Sequence, residues 1–216
     1  NRMDGNSIYE IFDENIACDI RLNDALENNL IVPFHYFGIS DIKSIDYENV
    51  DLTKIDVLAK LLSVNKRVDY IIEQMNFYSF VGNKRKAIGF CVSKEHGIYM
   101  SEEFNKRGIN STFLSSEDSI LNRVNFIEKL EDDTDSLEVI FTVDIFNEGI
   151  DIPSINTVLF LRPTNSPIVF IQQLGRGLRK HKNKEFLTVL DFIGNHKKAY
   201  LIALALAGNK AIDKDS

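Results

Sequence analysis

The sequence predicts an α/β fold, a mostly parallel sheet sandwiched by helices, with an N-terminal helical lead-in. Short apolar runs at 86–92, 111–114, 137–142, 156–161 and 186–192 have strand length and texture. Stretches of helical periodicity separate most of them, the alternation that builds parallel sheets covered on both faces. At 216 residues, 44% hydrophobic and 26% charged, the chain can bury a substantial core. Right-handed crossovers would place the C-terminal ends of all strands on one rim, where a site belongs.

Taken in order, residues 1–15 lack periodicity and read as a connector. Ile16, Ile20, Ala25, Leu26 and Leu30 set a helix that ends near Asn28-Asn29. A strand follows over 31–39, and Pro33 near its start suits an edge or first position. Residues 41–53 are acidic and irregular, and helices are expected over 54–63 and 65–80. Val68, Ile71, Ile72, Met75 and Tyr78 give the second its apolar face. Beyond Gly82, the strand at 86–92 leads into a helix over 94–107 that stops at Gly108. After the strand at 111–114 a helix spans 116–130, and residues 131–135 form an acidic loop. A helix carrying Gln172–Arg179 separates the last two strands, and a final helix over 195–207 is capped by Gly208.

The net charge of −7 confines any polyanion contact to a local basic patch, and Arg176–Lys184, with five Lys and Arg, is the candidate. The only cysteines, Cys18 and Cys91, form no C-x-x-C pair, so no metal site is expected and a reducing, cytoplasmic location suits them. No apolar run approaches membrane-span length. The chain begins with Asn1 and is expected to be a fragment.

Three segments would meet on the rim. In Phe90-Cys91-Val92-Ser93 a strand runs into a helix; Ser93 is a natural N-cap, and the free amides behind it favour an anion. In F-T-V-D-I-F-N-E-G-I-D-I-P, Thr142 can donate a hydroxyl to a phosphate. Gly149 permits close backbone approach there, and Asp151 can accept from a sugar hydroxyl. In Q-Q-L-G-R-G-L-R, Gln172, Arg176 and Arg179 share one helical face, with Gly175 and Gly177 beside them. Paired guanidinium groups suit phosphate, being planar forks that keep their charge.

The order strand, G-x-D-x-P, strand, Q-x-x-G-R-x-x-R resembles motifs V and VI of superfamily 2 helicases, and the segment ending at Ser93 resembles their motif IV. The resemblance covers 86–208 and points to the second RecA-like lobe, closest to the restriction and repair-translocase branch. Residues 2–5, R-M-D-G, resemble the end of the first lobe. Residues 1–85 then read as connector and helical lead-in, 86–208 as the lobe and 209–216 as a tail.

The resemblance implies an ATP-dependent helicase or translocase. Arg176 and Arg179 would be its arginine fingers, Gln172 their support, and Gly149, Asp151 and Gly175 would line the nucleotide. Ser93 and Thr142 would hold the nucleic-acid backbone. Q-x-x-G-R-x-x-R departs from the DEAD-box form H-R-x-G-R-x-x-R, which favours DNA over RNA as the partner. No G-x-x-x-x-G-K-[ST] loop occurs, so ATP and magnesium are expected mainly on an N-terminal lobe outside this sequence, and the chain alone should be inactive. The alternative is a non-enzymatic RecA-like module for protein interaction.

Overall fold

The computed structural model describes residues 22–42, 45, 54–143, 152–163, 175, 177–182 and 184–192. The expected connector over 1–15 and final helix over 195–207 lie outside them.

Helix α1, Leu22–Glu27, ends as its composition predicts. Leu30 N–H donates to Ala25 O at 2.8 Å and Asn29 N–H to Leu26 O at 3.0 Å, while Asn29 sits at φ 52. That is a Schellman ending with asparagine where glycine is commonest. Strand β1, Phe34–Gly38, follows at once.

Helices α2, Ile55–Leu62, and α3, Asn65–Phe77, come next. Strand β2, Ala87–Phe90, leads into α4, Lys94–Lys106, and β3, Ser111–Leu114, into α5, Ile120–Glu131. Strands β4, Val139–Thr142, β5, Thr157–Phe160, and β6, Leu187–Asp191, complete the described elements.

The six strands form one sheet in the order β1-β6-β5-β2-β4-β3, and every pairing is parallel. Strands β2, β4, β5 and β6 are buried at every position, as strands covered on both faces must be. Their side chains sort by parity into two cores. Ile88, Phe90, Ile140, Val158 and Val189 face the layer that contains Leu130 of α5 and Leu178. Ala87, Val139, Phe141, Leu159 and Leu190 face Val68, Ile71 and Met75 of α3 and Met100 and Phe104 of α4.

Three boundaries differ from the sequence reading. Helix α3 stops at Phe77, with Tyr78 already extended at φ −85 and ψ 131. Helix α5 begins at Ile120 because Ser115–Asp118 forms its own turn, in which Asp118 accepts from Ser115 N–H at 2.7 Å; Ser119 is the cap. Strand β1, which lies within the stretch read as connector and lead-in, pairs with β6 over five residues and supplies the sheet's edge, where Pro33 can do no harm.

Candidate functional site

Because all pairings are parallel, the ends of β1, β2, β4, β5 and β6 reach the same rim. At its centre Cys91 N–H donates to Thr142 O at 2.7 Å, which extends the β2–β4 ladder by one step before the chain turns into α4. Ser93, extended at φ −148 and ψ 172, caps α4, its Oγ accepting from His96 N–H at 3.2 Å. The first turn of the same helix carries an acidic residue, Glu95. The Glu95 carboxyl is held below its ordinary range by its own backbone N–H and by the Ser93 hydroxyl.

Behind this turn lies a buried polar cluster. Arg67, on α3, is fully buried; its Nε donates to Asp41 Oδ2 at 2.8 Å and its Nη2 to Leu161 O at 3.4 Å. One guanidinium thus ties the chain leaving β1 to the chain leaving β5. His96 is also fully buried, and its Nδ1 accepts from Val92 N–H at 3.3 Å, which assigns the ring proton to Nε2. Burial first, and Arg67 second, push its pKa down to about 3, so the ring is neutral near pH 7. Arg67 Nη1 and His96 Nε2 make no hydrogen bond among the described residues. Burial likewise pushes the Cys91 thiol up to about 12, with Arg67 and Arg162 pulling the other way, and the protonated thiol is inert. At the β1 side of the rim Tyr36 donates to Asp191 Oδ2 at 2.7 Å; burial and that carboxylate raise the phenol's pKa.

Of the residues singled out by sequence, Ser93 and Thr142 come together on this rim, but both are covered. Ser93 is 8% exposed and Thr142 0%. Gly175 and Gly177 are helical, as expected, but Leu178 lies in a turn and Arg179 in a bend, so the helical face expected to carry Arg179 does not reach it; the two glycines also differ in role. A Cβ at Gly177 would stand 2.9 Å from Leu187 Cδ2 and 3.4 Å from Val158 Cγ2, so its bare backbone lets this segment press onto β5 and β6. A Cβ at Gly175 would meet nothing within 4 Å. Leu178 is buried between them and the sheet, its carbonyl accepting from Val32 N–H at 2.8 Å, while Arg179 is exposed. Gly149, Asp151, Gln172 and Arg176 lie outside the described residues.

The sequence reading missed Arg67, Asp41 and His96. One signal was present: Arg67 shares the four-residue spacing of Ile71 and Met75, and a charge on that apolar stripe implies a buried partner.

Residues 54–181 match the family model described as the helicase conserved C-terminal domain. IRC3 of Saccharomyces cerevisiae, described as a candidate ATP-dependent helicase, is 28% identical over 207 residues, covering 95% of this chain and 28% of that protein. A candidate helicase of a Sulfolobus islandicus filamentous virus is 30% identical over 134 residues, 62% of this chain and 22% of that protein. The chain therefore spans less than a third of the length of these relatives. A fragment of a candidate HsdR subunit of a type I restriction enzyme from Vibrio vulnificus shares the fold, with TM-score 0.72 and 19% identity over 97% of this chain and 41% of that one.

Proposed function

This chain belongs to the helicase conserved C-terminal domain family, the second RecA-like lobe of superfamily 2 helicases, and on that premise we propose that it serves as the closing half of an ATP-driven motor on nucleic acid. ATP would lie between this lobe and an N-terminal one. Arg176 and Arg179 would reach across as arginine fingers, with Gln172 supporting them and Gly149, Asp151 and Gly175 lining the nucleotide. Magnesium and most of the ATP are assigned to the N-terminal lobe, since this sequence carries no phosphate loop. That IRC3 is described as a candidate ATP-dependent helicase supports the use of ATP.

The observation that carries the reading is the asymmetric seating of Gly175 and of Gly177, Leu178 and Arg179 within the Q-x-x-G-R-x-x-R motif. Gly177 and Leu178 clamp it to the sheet, while Gly175 and Arg179 keep an open side. Guanidinium groups presented from such a segment would neutralise charge on a transferred phosphoryl group, and only when the two lobes are shut. Opening would then release the products and advance the grip. That grip is assigned to the rim of Ser93 and Thr142. Because Thr142 is covered, a direct contact from its hydroxyl needs a rearrangement that exposes it. DNA is favoured over RNA as the partner because Q-x-x-G-R-x-x-R departs from the DEAD-box form H-R-x-G-R-x-x-R.

In the protein carrying both lobes, Arg176→Ala and Arg179→Ala are each expected to lower ATP turnover by a factor on the order of 10³, with far less effect on ATP affinity. Lysine at either position should rescue poorly, lacking the planar fork. Steady-state phosphate release with saturating single-stranded DNA measures both. Unchanged turnover in both alanine variants, with the fold intact, overturns the motor reading.

A further inference from the structure

On the opposite rim, where the strands begin, the end of the basic run meets two further lysines. A cavity of about 260 Å³ opens there, lined by Lys84, Lys86, Asn156, His181, Lys182 and Lys184. Besides the stretches just before β2 and β6, the acidic loop at Asp133 and the start of β5 at Ser154 and Asn156 contribute to it.

The cavity is built by hydrogen bonds rather than by chance proximity. Asn156, 4% exposed, accepts from Lys86 N–H at 2.9 Å and donates to Val81 O at 2.7 Å and Lys84 O at 2.8 Å, fixing the course of 81–86. Lys84 Nζ donates to Lys129 O and Asp132 O at the end of α5, at 3.0 and 2.7 Å. Lys86 Nζ donates to Glu131 O at 2.6 Å and pairs with Asp133 at 2.7 Å. Lys184 Nζ bonds Pro153 O at 2.9 Å and Gly177 O at 2.6 Å, which pins the far wall.

An ammonium has three N–H donors, so Lys84 and Lys86 each keep one in hand after these bonds. Among the described lining residues four are lysines and one, Asp133, is a carboxylate, while Asp132 and Asp135 of the acidic loop stand close enough to act on Lys84. The excess of cations on the side of Lys182 and Lys184 attracts anions. Burial lowers the pKa of Lys84, and Lys86 adds to that, against the pull of Asp135, Asp132 and Asp133. Among the described residues no aromatic side chain lines the cavity, so they offer charge and amide groups but no platform for a base.

We propose that this cavity is a second docking point for the phosphodiester backbone of nucleic acid, read through its phosphates and not its bases, on the rim opposite Ser93 and Thr142. The choice of a phosphodiester rests on the motor reading above; the anion site itself rests on the cavity. A strand touching both rims would be held across the lobe, so that the grip at one end can loosen while the other stays closed.

Fluorescence anisotropy of the 216-residue chain with a labelled single-stranded DNA oligonucleotide, at several salt concentrations, tests it. Lys182 is exposed, so Lys182→Glu should leave the fold intact. It is expected to weaken binding ~5-fold at low salt and to reduce the salt slope by about 1. Lys106→Glu, the same charge change on α4 across the sheet, should have little effect. Inorganic tripolyphosphate serves as the free-anion arm, read by thermal shift, and should compete with the oligonucleotide in the parent but not in Lys182→Glu. Equal binding by Lys182→Glu and Lys106→Glu overturns the site. Lys182-dependent stabilisation by tripolyphosphate without oligonucleotide binding overturns the backbone assignment. Neither outcome depends on ATP turnover, so a failure of the arginine-finger prediction is read separately.

Discussion

His96 and Arg67 share an apolar environment on terms that fix the protonation of one of them. A neutral imidazole beside a buried guanidinium costs little, whereas a second cation there would have to be desolvated and held against the first. The folded-state pKa of about 3 lies below the ordinary 6.5, so the unfolded chain binds the proton more readily. Stability from this group is therefore complete above about pH 6.5 and is lost as pH falls toward 3. Between pH 7 and pH 5 the loss should be about 2 kcal/mol from His96 alone. Urea unfolding of the parent and His96→Gln at the two pH values measures it. The parent should lose more stability than the variant, and parallel losses would show that the ring is not buried neutral. Asp41 faces the same constraint from the other side. Removing it would leave the guanidinium buried and unpaired, a defect of about 3–5 kcal/mol. None of this cluster was read from the sequence beforehand, because hydrophobic periodicity marks which face is buried and is silent about which polar groups go in with it.

The segment from Gly175 to Arg179 shows how an element is positioned by what it lacks. Gly177→Ala pushes a methyl into Leu187 and Val158, and overpacking of this sort costs about 1–3 kcal/mol. Gly175→Ala meets open space and removes a helix-weakening residue, so it should stabilise by about 0.5–1 kcal/mol. If Gly175 lines the nucleotide, that more stable variant should still turn over ATP more slowly in the two-lobe protein. Thermal unfolding and phosphate release on the two variants check both halves, and a Gly175→Ala protein with full activity would remove that residue from the nucleotide's path. A helical backbone at Gly175 and Gly177 and the close approach were legible in Q-Q-L-G-R-G-L-R; that the helix stops before Leu178 and which glycine faces the sheet were not, since both depend on strands nearby in space. Most strands were legible to within a residue or two, because burial on both faces makes them short, uniformly apolar runs. Helix α5 was misplaced at its start because Ser116 and Ser119 are equally good caps on paper, and only the Ser115–Asp118 turn decides between them.

For the whole molecule, the parallel sheet was readable from alternation, but its strand order was not. Periodicity carries no information about which strand neighbours which, and the pairing of β1 with β6 joins Phe34 to Leu187 across most of the described chain. On the rim, Ser93 and Thr142 were anticipated together, and their burial was not, since a strand end and a cap look alike whether or not the following turn covers them. The same β1–β6 pairing has a consequence in time. Chains emerge from the ribosome in order, and a contact of such long sequence separation forms after the local ones. Strand β1 must wait, with its apolar residues unhoused, until nearly everything else in the sheet has been made. Until it docks, β6 presents a bare edge, the kind of surface on which nascent chains pair with the wrong partner. Pulse-labelling hydrogen exchange during refolding should accordingly find the amides of the β1–β6 ladder protected after those of β2, β4 and β5; simultaneous protection would refute the order. The last strand laid into this sheet is the first of its six to be synthesised, and the sheet's exposure to misassembly lasts for that interval.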